Sequence, residues 1–482
     1  MRLLAATLLA LSLASAQPPG PTHGQRPQRL IVRNAMIVEG VGTPASGPRD
    51  IVIEGNRIVR IVPSRAKSPA EGVEIDAAGK YVLPGLINMH GHVQDERAGR
   101  PMDVNYCLKL WLACGITTSR DVGSSFEKSK ALRERSAKGE IAAPRLFLYP
   151  FFGAANPEAA RKRVQEFHAG GADGLKFLGT YRDVIEAAYD EAKKLGLRRA
   201  HHVGVEETNA WDDIRLGTTT IEHWYGVPDA ALENGVQGFP PSYNYQNELD
   251  RFRYAGRLWR EANPERLGKV LQAMVDNNVG WDPTLSIYVA SRDLQRAQTV
   301  PWYKDYLHPS LEAFFQPNLE NHGSYFTEWT STDEAFWKEN YRIWMAAVRD
   351  FARRGGLVTT GEDAGFIWQV YGFGLLQELE LHQEAGFPTL KVIQHATYNG
   401  AKALGKETEL GRVRAGWTAD LIVVNGNPLE DLRVLYPRGI LPGRQNGIEW
   451  TIKDGIPYHV PVLLEDLRGI VTKARAARPN AK

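Results

Sequence analysis

Eight apolar, strand-like runs recur along the middle of this chain, each followed by a helical stretch. That alternation limits the fold more than any other feature of the sequence. The runs are Leu83 to His92, Ile116 to Val122, Arg145 to Phe151, Gly174 to Leu178, Arg198 to His202, Thr218 to His223, Val279 to Leu285 and Leu357 to Asp363. Strand–helix alternation requires a parallel sheet covered by helices, and eight such steps over about 280 residues are the signature of a (β/α)8 TIM barrel. The spacing is uneven: about 55 residues separate the sixth and seventh runs and about 70 the seventh and eighth. Long connections in a barrel tend to sit over its active face. The second of them, 286–355, is dense in aromatic residues, among them Trp302, Tyr303, Trp329, Trp337 and Tyr341. Two readings are open for it: a lid over an apolar substrate group, or a helical hairpin packed on the barrel.

The flanks read differently. Leu30 to Val38, Asp50 to Glu54, Arg57 to Val62, Glu74 to Asp76 and Lys80 to Leu83 are short and β-rich, with Gly55-Asn56 as a tight connection. They leave no room for crossover helices, so an antiparallel module is expected. It is small for an independent core. Strands return at Gly411 to Val413, Asp420 to Asn425 and Ile448 to Asp454. The expected α/β architecture is therefore a TIM barrel, 85–406, inserted into a small β-sandwich built from both chain ends, 28–84 and 407–460. A C-terminal tail, 461–482, begins helix-like and ends polar and basic.

At the start, Arg2, the apolar run Leu3 to Leu13 and the small residues Ala14, Ser15 and Ala16 read as a signal peptide, 1–16, cleaved after Ala16. The protein is then exported, to the periplasm or the medium, behind a flexible leader at 17–27. No other apolar stretch approaches the length of a membrane span. Lys+Arg (58) and Asp+Glu (56) nearly cancel, which excludes the strong positive field that nucleic acid or an anionic membrane surface requires. With 43% hydrophobic and 24% charged residues the chain is ordinary globular material. Two cysteines cannot make a disulfide framework. Cys107 and Cys114 lie seven residues apart in a helix-like stretch, about 10 Å by helical rise, too far to bridge.

Ionisable and metal-binding residue types fall at the C-terminal ends of the barrel runs, where barrel active sites are built. His90 and His92 end the first, and i, i+2 spacing on a strand puts both on one face, able to chelate one cation. Lys176 ends the fourth, His201 and His202 the fifth, His223 the sixth and Asp363 the eighth. Imidazole and carboxylate suit Zn2+ and similar ions. A buried neutral lysine can add CO2 to become an anionic carbamate with two ligating oxygens; an ion pair with a neighbouring acid is the other reading of Lys176. Adjacent strand residues face opposite ways, so only one of His201 and His202 points inward.

The ordered segments Pro84-Gly-Leu-Ile-Asn-Met-His-Gly-His92, Gly115-Ile-Thr-Thr-Ser-Arg-Asp121, Gly171-Ala-Asp-Gly-Leu-Lys176, Ile221-Glu-His223, Gly361-Glu-Asp-Ala-Gly365 and Leu410 to Val424 resemble the amidohydrolase superfamily, in its imidazolonepropionase-like and prolidase-like branch. The likeness runs over residues 28 to 456. Asn88 stands where the family often has Asp, and Glu362 where Thr is commoner; neither is a ligand position. Matching the family's small residue to Gly217 puts the fifth-strand ligand at His202. Lys176 separates the chain from the single-metal branch.

The resemblance implies two divalent ions, Zn2+ foremost. One is held by His90, His92 and Asp363 and a second by His202 and His223, with carbamylated Lys176 between them. A hydroxide shared by the ions attacks the substrate carbonyl, and Asp363 carries its proton to the leaving amine. Asp282 and Thr284, at the seventh strand's end, are expected to line the pocket. Tyr225 is either a donor to the substrate carbonyl or a buried structural tyrosine. The implied function is a binuclear metal-dependent amidohydrolase cleaving an amide-type C–N bond in a dipeptide, N-acyl amino acid or cyclic amide. Lactone or phosphotriester hydrolysis at the same site is the alternative, and a non-catalytic scaffold of the same fold is the rival from another class. The expected partner is a small molecule, and a homo-oligomer is compatible with the sequence.

Overall fold

The computed structural model describes residues 23–64, 71–203, 208–235, 237–244, 247–318, 323–324, 326 and 329–477. The expected signal peptide and the first part of the leader lie outside these residues, as does the end of the tail. Strands β1 (Arg29–Ile37), β2 (Ser46–Glu54), β3 (Arg57–Pro63), β4 (Val73–Asp76) and β5 (Tyr81–Pro84) come first. β6 (Leu86–Gly91) follows, then a two-residue hairpin, β7 (Glu96–Arg97) and β8 (Arg100–Pro101).

From β6 onward strand and helix alternate: α1 (Val104–Ala113), β9 (Ile116–Val122), α2 (Phe126–Lys138), β10 (Arg145–Tyr149), α3 (Pro157–Ala169), β11 (Gly174–Leu178), α4 (Arg182–Lys194), β12 (Arg198–His202), α5 (Ala210–Leu216) and β13 (Thr220–Glu222). Two helices, α6 (Glu248–Glu261) and α7 (Pro264–Asp276), precede β14 (Gly280–Asp282). Local chemistry sets the boundaries. Asn156 caps α3 ahead of Pro157, Asn209 and Asp212 form a capping box on α5, and α5 stops at Gly217 in the left-handed conformation.

β10, β9 and β6 form one parallel sheet, and β11 to β14 in sequence form another. Every residue of β6 and β9 is buried, as parallel strands covered on both faces require. Further hydrogen bonds link the two sheets. Lys176 N donates to Pro150 O (3.0 Å) and Phe152 N to Lys176 O (2.8 Å). On the other side Trp281 N donates to Leu357 O (2.8 Å), Thr359 N to Trp281 O (3.0 Å) and Met89 N to Thr360 O (2.9 Å). The expected eighth strand is thus present as an extended segment bridged at Val358 rather than as a ladder.

The chain ends meet in one eight-stranded sheet, ordered β17-β16-β15-β5-β1-β2-β3 with β4 beside β1; its last strands are β15 (Leu421–Asn425), β16 (Gly447–Lys453) and β17 (Ile456–His459). β15 runs antiparallel to β5, pairing Leu421 with Pro84 and Val424 with Tyr81. Leu30, Val32, Ile51, Val82, Leu421 and Ile452 pack into its own cluster.

Two expectations fail here. The first module is not wholly antiparallel, because β4 and β5 both run parallel to β1. The β2–β3 hairpin supplies the return path that a helix would otherwise give. Gly411 to Val413 is not a strand; Val413 N makes a single bond to Glu39 O (3.1 Å) outside any ladder. The tail is helical over Val460–Ala476.

Candidate active site

A cavity of about 500 Å³ opens over the C-terminal ends of the strands, and His90, His92, Lys176, His202, His223 and Asp363 all line it. Five strand ends deliver the six. His90 lies in β6 and His92 just beyond it; Lys176 lies within β11; His202 ends β12. His223 and Asp363 occupy left-handed backbone (φ 60° and 47°) directly after the sixth and eighth runs. Non-glycine residues avoid that region at a cost on the order of 1–3 kcal/mol, so both are held there by their surroundings. Asp363 N donates to His90 O (2.9 Å), which ties the ends of the eighth and first runs together.

The side chains converge. His92 Nε2 stands 2.9 Å from Asp363 Oδ1 and His90 Nε2 3.8 Å from the same oxygen, while His223 Nε2 is 3.7 Å from Asp363 Oδ2. Lys176 Nζ lies 3.3 Å from His90 Nε2. The His202 ring centroid is 4.6 Å from that of His223, and the ring stacks at 4.5 Å on Tyr225, which also faces the cavity. The fifth-strand ambiguity resolves geometrically. His201 turns away, its Nδ1 2.9 Å from Asp213 Oδ1 on α5, and His202 points in.

Residues behind the cavity orient these rings. His90 Nδ1 meets Glu222 Oε2 at 2.7 Å, and Thr284 Oγ1 meets His223 Nδ1. With Nδ1 engaged, Nε2 of each ring is presented to the cavity. Glu222 is itself held by Arg120 Nη2, 2.7 Å from both carboxylate oxygens, and both side chains are fully buried. Sequence reasoning passed over Glu222 and Arg120, although a charged residue inside an all-buried strand was a usable signal. It also misplaced two residues. Asp282 and Thr284 do not line the cavity; Asp282 is fully buried beneath it, accepting from Thr359 Oγ1 (2.8 Å), and Thr284 turns back to His223. Gly361 belongs to the same layer, since a Cβ there would come within 2.4 Å of Asp282 Oδ2 and 2.5 Å of His90 Cβ.

Burial pushes His90, His202 and His223 well below the ordinary imidazole range, keeping them neutral. Burial also lowers Lys176 to about 8, against the pull of the Glu222 and Asp363 carboxylates. The donor set is chemically that of a metal centre. His90, His223 and Asp363 each offer a ligand atom within 4.8 Å of the others, and neutral imidazoles with carboxylate suit a borderline divalent ion.

The aromatic insert divides into two parts. Trp302 is buried, stacked on Phe373 at 4.8 Å and tilted against Tyr436, away from the cavity. Ile287 and Tyr288, at the insert's start, do line it. More of the wall comes from the 226–262 connection, as expected from the length of the segment between the sixth and seventh runs.

A model of the amidohydrolase family matches residues 338–444. A dihydroorotase of Thermoanaerobacter is 38% identical over 66 residues; the match spans only 14% of each chain. A 5'-deoxyadenosine deaminase of Methanosarcina mazei is 23% identical over 477 residues, covering 92% of this chain and 94% of its own. Among solved structures, a Xaa-Pro dipeptidase with bound methionine superposes with a TM-score of 0.63 at 22% identity, over 89% of this chain and 100% of its own. That likeness is one of fold, and it makes the architecture of TIM-barrel type.

Proposed function

The chain belongs to the amidohydrolase superfamily, and from that premise we propose that it is a binuclear metal-dependent hydrolase cleaving an amide C–N bond. One observation carries the reading: four imidazoles, a lysine and a carboxylate from five different strand ends meet in one cavity. His90, His92 and Asp363 would hold one divalent ion and His202 and His223 a second, with Lys176, as its carbamate, between them. When bound, such ions supply Lewis acidity toward a carbonyl oxygen and water activated near neutral pH.

The chain's own residues do the rest. Glu222 and Thr284 fix the tautomers of His90 and His223 from behind. The Asp363 carboxylate, partly open to the cavity, takes a proton from the attacking water at Oδ and returns it to the amine. The Tyr225 hydroxyl donates to the substrate carbonyl. Water adds to the carbonyl carbon, the C–N bond breaks, and a carboxylic acid and an amine leave.

The deaminase relative favours a second reading, hydrolytic loss of ammonia from a purine amidine. The test is a substrate panel on metal-loaded and chelated protein: dipeptides, N-acyl amino acids, hydantoins, lactones, aryl phosphotriesters and 5'-deoxyadenosine. Metal-dependent turnover of an acyclic amide, above all other classes, is the expected result. Turnover confined to the nucleoside, the lactones or the phosphotriesters would replace the reading.

A further inference from the structure

The segment that follows the eighth run carries left-handed backbone at Asp363 (φ 47°), Gly365 (92°), Ile367 (42°) and Trp368 (61°). For the three that are not glycine this costs on the order of 1–3 kcal/mol each, and for a β-branched isoleucine it is a true outlier. A turn under that strain keeps its shape only where its surroundings over-determine it. Backbone bonds contribute: Asp363 N donates to His90 O (2.9 Å), Gly365 N to Gln369 O (2.9 Å) and Gln369 N to Phe366 O (2.8 Å). Arg97, in β7 just beyond His92, adds a side-chain latch.

Arg97 is 9% exposed. Its Nε donates to Gly365 O (2.8 Å), so both backbone polar groups of Gly365 are bonded. Its guanidinium lies 4.2 Å from the centroid of the Phe366 ring and 5.3 Å from that of Phe314. Phe366 in turn lines the cavity and meets the His92 ring edge-on at 5.8 Å. A Cβ on Gly365 would collide with the Tyr371 hydroxyl, Arg97 Nη2 (2.6 Å) and Gln94 Oε1 (2.7 Å), so three polar side chains close on this one glycine.

Among the described residues no carboxylate lies within ion-pair distance of this guanidinium. Burial draws its pKa down, against the pull of Tyr371 and Asp363. A buried charge without an ionic partner costs folding energy that aromatic faces offset only in part.

We propose that Arg97 is a positioning residue for Asp363: it latches the strained turn after the eighth run to the segment after the first, and so holds the Asp363 carboxylate at His92 and the Phe366 ring in the cavity wall. This rests on the reading of the site as an amidohydrolase centre.

Wild type, Arg97→Met and Arg97→Lys are compared in Zn2+ affinity by competitive chelator titration, in Tm, and in steady-state hydrolysis of the dipeptide or N-acyl amino acid that wild type turns over fastest. Each melt is taken with free Zn2+ at the same multiple of that protein's own Kd, so that metal binding contributes equally to all three. Methionine keeps the packing on Phe366 and Phe314 and removes the buried charge, so Arg97→Met should melt within about 2 °C of wild type or above it. Its Zn2+ affinity should fall about tenfold, the low end for losing a residue that orients a metal-binding side chain. Its kcat should fall about 10–100-fold with KM within about threefold, because a carboxylate displaced by about 1 Å fails at the chemical step rather than in ground-state binding. Arg97→Lys keeps a donor for Gly365 O but has no planar face for Phe366, and should recover part of both losses.

Zn2+ affinity and kcat within about threefold of wild type in Arg97→Met, or losses that track a lowered Tm, overturn the proposal and leave amide hydrolysis standing. If wild type cleaves no amide the hydrolytic reading falls, while a loss of Zn2+ affinity at unchanged Tm in Arg97→Met still gives Arg97 its positioning role. Wild type that neither binds Zn2+ nor cleaves an amide overturns both.

Discussion

His90, His92, Lys176, His202, His223 and Asp363 reach one cavity because each sits at the rim end of a barrel strand. His90 and His92 at i, i+2, and His201 against His202 on opposite faces, follow from the pleat alone. What the pleat does not carry is the turn that follows. Thr284 adopts φ 47°, so its hydroxyl swings back to His223 instead of lining the pocket. Glu222 was hidden for a different reason: its partners, Arg120 and His90, lie 102 and 132 residues away in sequence. The geometry makes Glu222 a positioning residue, and Glu222→Gln tests it. The variant leaves Arg120 buried without its carboxylate, with Asp282 at 3.7 Å as the nearest substitute. Stability should fall by about 3 kcal/mol. Metal affinity should fall by about 10–100-fold as His90 loses its anchor. Urea unfolding and competitive chelator titration check the two effects separately.

Elements were harder to read than residues. The seven ladder strands fall within the expected runs, but the composition of a connection does not say which face its aromatics turn to the barrel. The 286–355 segment drew notice for its tryptophans, yet Trp302 packs on Phe373 and Tyr436. The connection between the sixth and seventh runs was marked by its length alone, because α6 mixes its cavity-facing residues with the charged Arg253, Arg257 and Arg260. Trp302→Ala should therefore act on stability, by about 3–5 kcal/mol for a large buried ring, with KM unchanged. Thermal melts and steady-state kinetics on one preparation decide the matter; a raised KM with an unchanged melt would return Trp302 to a lid. In the terminal module, local pattern found most strands but not their direction. Direction depends on how the β2–β3 hairpin carries the chain back past β1, a property of the whole sheet.

For the whole molecule, both chain ends contribute strands to one sheet, and β5, which leads directly into β6 and His90, is flanked by β1 and β15. The sheet thus supports the strand that leads to His90 and His92. The mature protein is expected to begin at Gln17, and intact-mass analysis of exported protein would show that terminus; active protein retaining Met1 to Ala16 would remove the export proposal. The central claim is that His90, His92, Lys176, His202, His223 and Asp363 form a two-metal centre. It is tested most directly by metal stoichiometry against activity, for wild type and Lys176→Ala, with and without added acetate. Wild type should hold two divalent ions per chain, with activity rising as the second binds. Lys176→Ala should lose at least one ion and most of kcat/KM, and acetate should restore part of both by replacing the carbamate. Full activity with a single ion, or two ions and near-normal turnover in Lys176→Ala, would contradict it.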